Sequence, residues 1–510
     1  MPPLASPPIL TCAEALALET RLFAGDESRE WPAMQCAGRA LSHAVQRDFL
    51  ELGDFPPTAR LLVLVGKGHN GGDALIAARE ILTRHPAACA DIVFVFGERS
   101  LRPLAQRAWQ ELTHAAPERV RTLAGVSRQT DTNECQWDPA YDLCLDGVFG
   151  FQFHPPLDAR AAAVLRRANA HPIRLRAAID LPSGLEQPDA FRADFTYATG
   201  SVKTPVLDCA NAGRVRFLDL GFFAGEPAVP ATADYVLTAD MLAPLAALRP
   251  AKCDKRSYGH LFVLGGSRSY PGAALMTVLA ALRSGAGLVT AFVPESLAPA
   301  FAARAPEAMW VGWPETPDGG LSLDGQYLLR ERIDRATALV LGPGLGREPE
   351  TLALALDIVT NARLPLVLDA DALQTDIVRA GAAPRILTPH AGEFARIAGA
   401  TSLRDFCRTT GATVVLKGPV TRLGASDGAA VYHSFFGGPV LARGGSGDLL
   451  AGLIGGLLAQ QSTEPLTAAA RGLVWHGRAA EALARAHGQT AVHTTQLLDF
   501  LSAALREEIA

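Results

Sequence analysis

Short apolar runs that end abruptly in glycine- or aspartate-bearing loops recur along this chain of 510 residues, and they restrict the fold more than any other feature. Leu61 to Val65 runs straight into Gly66-Lys67-Gly68-His69-Asn70-Gly71-Gly72-Asp73, which a helical pattern from Ala74 to Leu82 follows. An apolar run of that length bounded by glycine reads as an interior strand of a parallel sheet. Asp91 to Phe96, Asp142 to Leu145 and Arg176 to Ile179 read as further strands. A second block holds His260 to Leu264, Ala338 to Leu341, Leu366 to Leu368, Arg385 to Leu387 and Thr413 to Leu416. Strands alternating with helical stretches predict an α/β fold, a parallel sheet with helices on both faces. The chain is too long for one core. Between Ala224 and Pro250 the texture turns to Ala, Pro and Leu with no such signature. We therefore expect two α/β/α domains, residues 10–236 and 237–508, preceded by a frayed Pro-rich segment over the first eight residues.

Composition narrows the partners. Apolar residues make up 49% and charged residues 19%, which excludes a largely disordered chain. A net charge of −5 supplies no basic field for a nucleic acid polymer, so small molecules are the expected ligands. No apolar run reaches about 18 residues and Met1 to Leu10 lacks a signal-peptide pattern, so no membrane partner and a cytoplasmic location are expected. The 8 cysteines, Cys135 among them, show no CxxC or zinc-like spacing and read as reduced thiols. Lysine is scarce. Only Lys67, Lys203, Lys252, Lys255 and Lys417 occur, so each hints mildly at a particular need.

In the second block every strand feeds a chemically loaded loop: Gly265-Gly266-Ser267, Gly342-Pro343-Gly344-Leu345-Gly346, Asp369-Ala370-Asp371, Thr388-Pro389-His390 and Lys417-Gly418. Each alone has a bland reading as a turn or cap, but the carboxyl ends of parallel strands share one edge, so the loops converge. Gly444-Gly445-Ser446-Gly447-Asp448 then opens the apolar helix Leu449 to Ala459. Such a helix start is an anion site. An acid beside it is repulsive unless it takes a proton from an attacking hydroxyl or meets a cation, which points to a general base in phosphoryl transfer. No GxxxxGK[ST] motif occurs.

These motifs, with Ala281-Leu282-Arg283-Ser284-Gly285-Ala286-Gly287 and Leu387-Thr388-Pro389-His390-Ala391-Gly392-Glu393, make the block resemble the ribokinase-like superfamily and within it the NAD(P)H-hydrate dehydratase family. The resemblance implies a ribokinase-like domain that dehydrates hydrated NADH or NADPH with ADP as co-substrate and Mg2+. It implies that Ala273, Gly344, His390 and Asp448 hold the hydrate, Asp448 being catalytic. Lys417, Gly418, Pro419, Val420, Thr421 and Gly447 would hold the nucleotide. Arg443 stands where the family has threonine, which raises the expectation of an altered nucleotide preference.

The first block satisfies GxGxxG, a Rossmann signature, yet Asp73 sits where a pyrophosphate would lie and Glu98 is the nearest acid to the second strand's end. Asp146 follows a strand in Leu145-Asp146-Gly147-Val148-Phe149-Gly150, and Asp180 follows another in Ile179-Asp180-Leu181-Pro182-Ser183-Gly184. Two carboxylates at strand ends could bind a cation, serve as acid and base, or merely cap. The block resembles the NAD(P)H-hydrate epimerase family, which implies a Rossmann-like domain that inverts the hydrate's hydroxyl. By that resemblance Asp146 is the acid/base, and His69, Asn70, Gly71, Gly72, Asp73, Gly150, Phe151, Gln152, Phe153, His154, Pro155, Pro156 and Asp180 bind substrate. K+ would sit on Asn70, Asp146 and Ser183. Together the halves would form a bifunctional repair unit for hydrated cofactors, expected as a homo-oligomer. The competing reading is a vitamin or sugar kinase fused to a non-catalytic ligand-binding domain.

Overall fold

The computed structural model describes residues 4–123, 137–224, 233–460 and 464–506. Cys135, Pro227 and Pro230 lie outside the described residues. Two compact units form, residues 7–224 in one and residues 4–6 with 233–506 in the other.

The first unit is built on a 7-stranded sheet in the order Val120–Leu123, Cys89–Phe94, Arg60–Val65, Tyr141–Gly147, Ile173–Ile179, Phe195–Thr199, Arg214–Leu218. Every pairing is parallel. Alternation along the central strand explains the layers: Leu61, Val63 and Val65 pack with helices Glu27–Phe49 and His69–Arg84, whereas Leu62 and Leu64 face helix Ala159–Ala170. The chain leaves Arg60–Val65 in one direction and returns on its other side at Tyr141–Gly147, so a ligand crevice opens between these two strands' carboxyl ends. Gly66 lies at that reversal, where a Cβ would stand 1.9 Å from the Val148 carbonyl oxygen. The glycine therefore serves the close passage of two backbones, with no phosphate needed to explain it.

The second unit carries a 10-stranded sheet. Its parallel part runs Met309–Trp313, Leu288–Pro294, His260–Leu264, Ala338–Leu341, Leu366–Leu368, Arg385–Leu387, Thr413–Leu416, and the order reverses between His260–Leu264 and Ala338–Leu341. An antiparallel hairpin, Thr421–Gly424 with Val431–Ser434, continues the sheet. Leu261 and Val263 pack with helices Pro271–Arg283, Ser446–Gln460 and Pro465–His487, while Phe262 and Leu264 face helices Pro349–Asn361 and Leu403–Thr410. Leu449 to Ala459 are all buried, the expected fate of a helix apolar on every side.

Two expectations fail. The first eight residues are not frayed throughout: Leu4 is buried in the second unit's core and its N–H donates to Tyr432 Oη at 3.3 Å. Nor is the stretch after Ala224 empty of strands, because Asp234–Val236 pairs in parallel with Val431–Ser434 at the sheet edge. Three residues with one apolar partner are too short to register as a periodic pattern.

Helix Glu27–Phe49 is tied to the edge strand Arg214–Leu218 by a buried pair. Arg216 Nε donates to Asp48 Oδ2 at 3.0 Å and its Nη2 to Oδ1 at 2.9 Å, while Tyr197 Oη donates to Oδ2 at 3.0 Å. Burial opposes ionisation of Asp48, yet Arg216 overcomes it and holds the carboxyl below its ordinary 3.8. The pair's contribution is thus complete above 3.8 and lost as pH falls through the lower, folded value. Asp48→Ala should cost about 3–5 kcal/mol in urea unfolding at neutral pH. A loss under about 1 kcal/mol would show that the pair does not dock this helix.

Candidate active sites

The crevice of the first unit opens into a cavity of about 600 Å³. Its wall includes His69, Asn70 and Asp73 from the glycine loop and helix His69–Arg84, Gly150 to Phe153 from the loop after Tyr141–Gly147, Asp180, Lys203 and Glu19. Phe96, Phe149, Phe151 and Phe153 give it an aromatic face. Of the expected substrate residues, His154, Pro155 and Pro156 do not line it, and Gly71 and Gly72 serve packing instead. A Cβ on Gly72 would stand 2.3 Å from the Met34 side chain. Glu98 accepts from Trp109 Nε1 at 2.9 Å and makes no cofactor-binding acid here.

Charge in this cavity is organised around one buried lysine. Lys203 Nζ donates to Asp180 Oδ1 and to the Thr199 carbonyl at 3.1 Å, with Lys203 and Asp180 almost wholly buried. Asp180 also accepts from the Phe151 N–H at 2.9 Å. Its backbone is in the left-handed region, φ 66°, a strained conformation for a non-glycine residue that its N–H bond to the Tyr197 carbonyl helps fix. Two more acids share the wall without such a partner. Burial pushes Glu19 up to about 7, with Lys203 only partly offsetting it. Burial, then Asp180 and Glu19, hold Asp73 well above the ordinary range, and its Oδ1 is buried with no hydrogen-bond partner.

Asp146 is placed differently from the expectation of an acid/base facing substrate. It is 0% exposed and does not line the cavity. Its Oδ1 accepts from Ser183 Oγ at 2.7 Å and Val148 N at 3.3 Å, and its Oδ2 from Ser183 N at 2.8 Å. Burial raises it to about 6 although these bonds pull the other way. Ser183 Oγ also accepts from Phe149 N at 2.8 Å, and Asn70 Nδ2 donates to the Phe149 carbonyl at 3.0 Å. Asn70, on the cavity wall, thus meets Asp146 and Ser183, which lie behind it, around the Phe149 peptide.

In the second unit the loops after parallel strands meet helix Ser446–Gln460. Lys417 Nζ donates to Asp369 Oδ1 at 3.1 Å, and Thr388 Oγ1 donates to the same oxygen at 2.7 Å. A Cβ on Gly447 would stand 3.0 Å from Lys417 Nζ, so the ammonium lies against the start of the helix. Asp448, in its first turn, is half-buried and pushed up to about 6, first by burial, then by Asp369, with Lys417 opposing and Asp371 adding. Asp371 is held by Gly346 N–H at 3.1 Å and Arg347 Nε at 2.9 Å. Gly344, with φ 63°, packs on Ala273, so these two expected hydrate residues adjoin. His390 is exposed and caps helix Ala391–Ala398, its Nδ1 accepting from Gly392 N at 3.0 Å and Glu393 N at 3.2 Å. Gly418 and Pro419 are exposed, and Thr421 Oγ1 donates to the Gly418 carbonyl at 3.2 Å.

Arg443 is accounted for elsewhere. Its guanidinium donates to the carbonyls of Gln489 at 2.8 Å, Thr490 at 2.7 Å and Val492 at 3.1 Å, so it clamps a loop. Residues that the motifs did not assign are Lys203, Glu19, Asp369 and Thr388. Lysine scarcity was the one signal for Lys203, since Lys67, Lys203 and Lys417 all border the two sites.

Residues 261–503 match a family profile described as NAD(P)H-hydrate dehydratase, and residues 32–204 match one described as YjeF-related protein N-terminus. A bifunctional NAD(P)H-hydrate repair enzyme from Gloeobacter violaceus is 37% identical, with 97% of this chain and 98% of that protein aligned. Another, from Moorella thermoacetica, is 34% identical over 93% of this chain and 92% of its own length. Among solved structures, the ADP/ATP-dependent NAD(P)H-hydrate dehydratase of Bacillus subtilis is 29% identical over 53% of this chain and 96% of that one, with a TM-score of 0.46. Near-complete alignment of both halves with proteins of both activities makes this an enzyme with an epimerase half and a dehydratase half. The chain belongs to the family of bifunctional NAD(P)H-hydrate repair enzymes.

Proposed function

We propose that the second unit restores hydrated NADH or NADPH by making its ring hydroxyl a phosphate leaving group, with Asp448 as general base. The hydroxyl sits on the carbon next to the ring nitrogen, and hydroxide leaves poorly. Asp448 takes the hydroxyl proton as that oxygen attacks the terminal phosphorus of ADP; AMP departs with the bridging electron pair. The ring nitrogen lone pair then expels phosphate, and loss of a neighbouring ring proton regenerates the dihydropyridine. A base near 6 is ionised at neutral pH and still close enough to it to accept a proton efficiently. The observation that carries this reading is Asp448 in the first turn of a buried helix, next to Gly447 and the Lys417 ammonium. Lys417 and the helix N–H groups would stabilise phosphate charge, and Ala273, Gly344 and His390 would bound the ring.

The described residues hold no group of three His, Cys, Asp or Glu suited to a metal. Asp448, with Asp369 and Asp371 near enough to raise it, supplies the carboxylate charge that would meet a Mg2+ carried on the nucleotide phosphates. When bound, the ion would neutralise phosphate charge. In the first unit, Asn70, Asp146, Ser183 and the Phe149 carbonyl offer a single carboxylate among neutral oxygens, a set that fits K+. It would hold the Phe149 loop and offset the buried Asp146 charge. We assign the aromatic cavity to the hydrated ring, whose hydroxyl is inverted there so that either configuration reaches the dehydratase half.

Asp448→Asn should lower kcat for ADP-dependent recovery of reduced-ring absorbance by roughly 10²–10⁴-fold while epimer interconversion continues. Retention of wild-type kcat would remove Asp448 from the base role. The pH profile offers a second check: dehydration should fall as pH drops through about 6, because Asp448 must be ionised. Lys417→Met removes a charge that favours that ionised form, so the acid limb should move to higher pH. A limb that stays put, or moves down, would contradict the pairing.

A further inference from the structure

The cavity of the first unit contains an acid that nothing in its surroundings satisfies. Asp73 is 8% exposed and lines the cavity wall, yet its Oδ1 is buried and finds no hydrogen-bond donor among the described residues. Glu19 lines the same wall and is likewise raised, to about 7, whereas two other acids are committed. Asp180 is bonded to Lys203 and to the Phe151 N–H, and Asp146 is closed off behind the wall with both oxygens engaged. A buried carboxyl without donors costs free energy unless something else completes it. A proton carried on Asp73 itself lowers that cost, and its place in the cavity wall leaves the residue within reach of a ligand.

We propose that Asp73 is the acid–base residue of the epimerisation, giving a proton to the departing ring hydroxyl and recovering one from the returning water. This rests on the reading that the cavity takes the hydrated ring. In the forward step the Asp73 O–H bond breaks and its proton joins the substrate hydroxyl. The carbon–oxygen bond breaks with its electron pair, releasing water, while the nitrogen lone pair forms the carbon–nitrogen double bond of a planar iminium. In the return step a water lone pair bonds that carbon from the opposite face, the double-bond electrons go back to nitrogen, and Asp73 accepts the water's proton. Nothing is oxidised or reduced. The surroundings suit both ends of the step. Burial and the acids Asp180 and Glu19 favour a protonated Asp73 before substrate ionises. Once the cationic iminium exists, the new carboxylate and the rings of Phe149 and Phe153 stabilise it.

The test uses the full chain, a single epimer of hydrated NADH, and chromatographic separation of the two configurations, with incorporation of heavy oxygen from labelled water read at the same carbon. Asp73→Asn keeps the shape and a hydrogen-bond donor but cannot cycle a proton. It should lose roughly 10²–10⁴-fold in kcat, with KM changed little, and lose oxygen incorporation in parallel. Asp73→Ser, a smaller replacement should the amide not fold, should show the same loss, and Asp73→Glu should recover part of it. Dehydratase activity and thermal unfolding of each variant verify folding. Wild-type kcat in Asp73→Asn, a loss confined to KM, or a loss seen in Glu19→Gln instead would overturn the assignment. A wild-type chain that neither interconverts the epimers nor incorporates solvent oxygen would overturn the functional reading itself, and the assignment with it.

Discussion

Each half of this enzyme pairs one lysine with one buried aspartate and leaves further acid at the same site, to which the proposed chemistry is assigned. Lys203 pairs with Asp180 and Lys417 with Asp369, both at the carboxyl edge of a parallel sheet. Desolvation makes an unpaired carboxylate there expensive, so the remaining acids, Glu19 and Asp73 in the first unit and Asp448 in the second, are pushed towards their neutral forms. Burial outweighs the one ammonium that opposes it at each of these acids, which keeps a proton available there.

The sheet order decides where this happens. Both sheets reverse direction next to a strand that ends in glycine, and each reversal gathers loops that lie far apart in sequence. In the second unit, residues 344, 369, 388, 417 and 447 reach one edge in this way. The glycines at the reversals are required by backbone passing backbone, as Gly66 and Val148 illustrate, so a nucleotide-binding fingerprint can have a packing cause.

Much of this was legible in the residues. The strand-to-loop junctions at Gly66, Gly265, Asp369 and Lys417 are local patterns, and the strands His260–Leu264, Ala338–Leu341, Leu366–Leu368, Arg385–Leu387 and Thr413–Leu416 lie where apolar runs put them, whereas Leu288–Pro294 and Met309–Trp313 were not expected. What stayed hidden depends on long-range partners. Nothing local tells Asp146, near the end of a strand, from Asp73, early in the helix after one, both beside glycine; only the fold saturates the first with Ser183 and leaves the second open. Phe195–Thr199 mixes threonine and tyrosine with apolar residues and lacks the uniform run of an interior strand, yet it sits inside the sheet. Arg443 looked like a change at the nucleotide and proved to be a clamp on three carbonyls, a role set by the loop at 489–492. Leu4 is buried because a distant tyrosine and core accept it, which proline content near the start conceals.

The halves are chemically sequential: one supplies, from either configuration, the alcohol that the other converts to a departing phosphate. A mixed sample of both hydrate configurations, incubated with the whole chain, Mg2+ and ADP in excess, measures this most directly when ring absorbance and free phosphate are followed together. The account predicts that absorbance recovers completely, with one phosphate released for every ring restored. Recovery that halts at the share initially present in one configuration, or a phosphorylated ring that accumulates without absorbance, would contradict it.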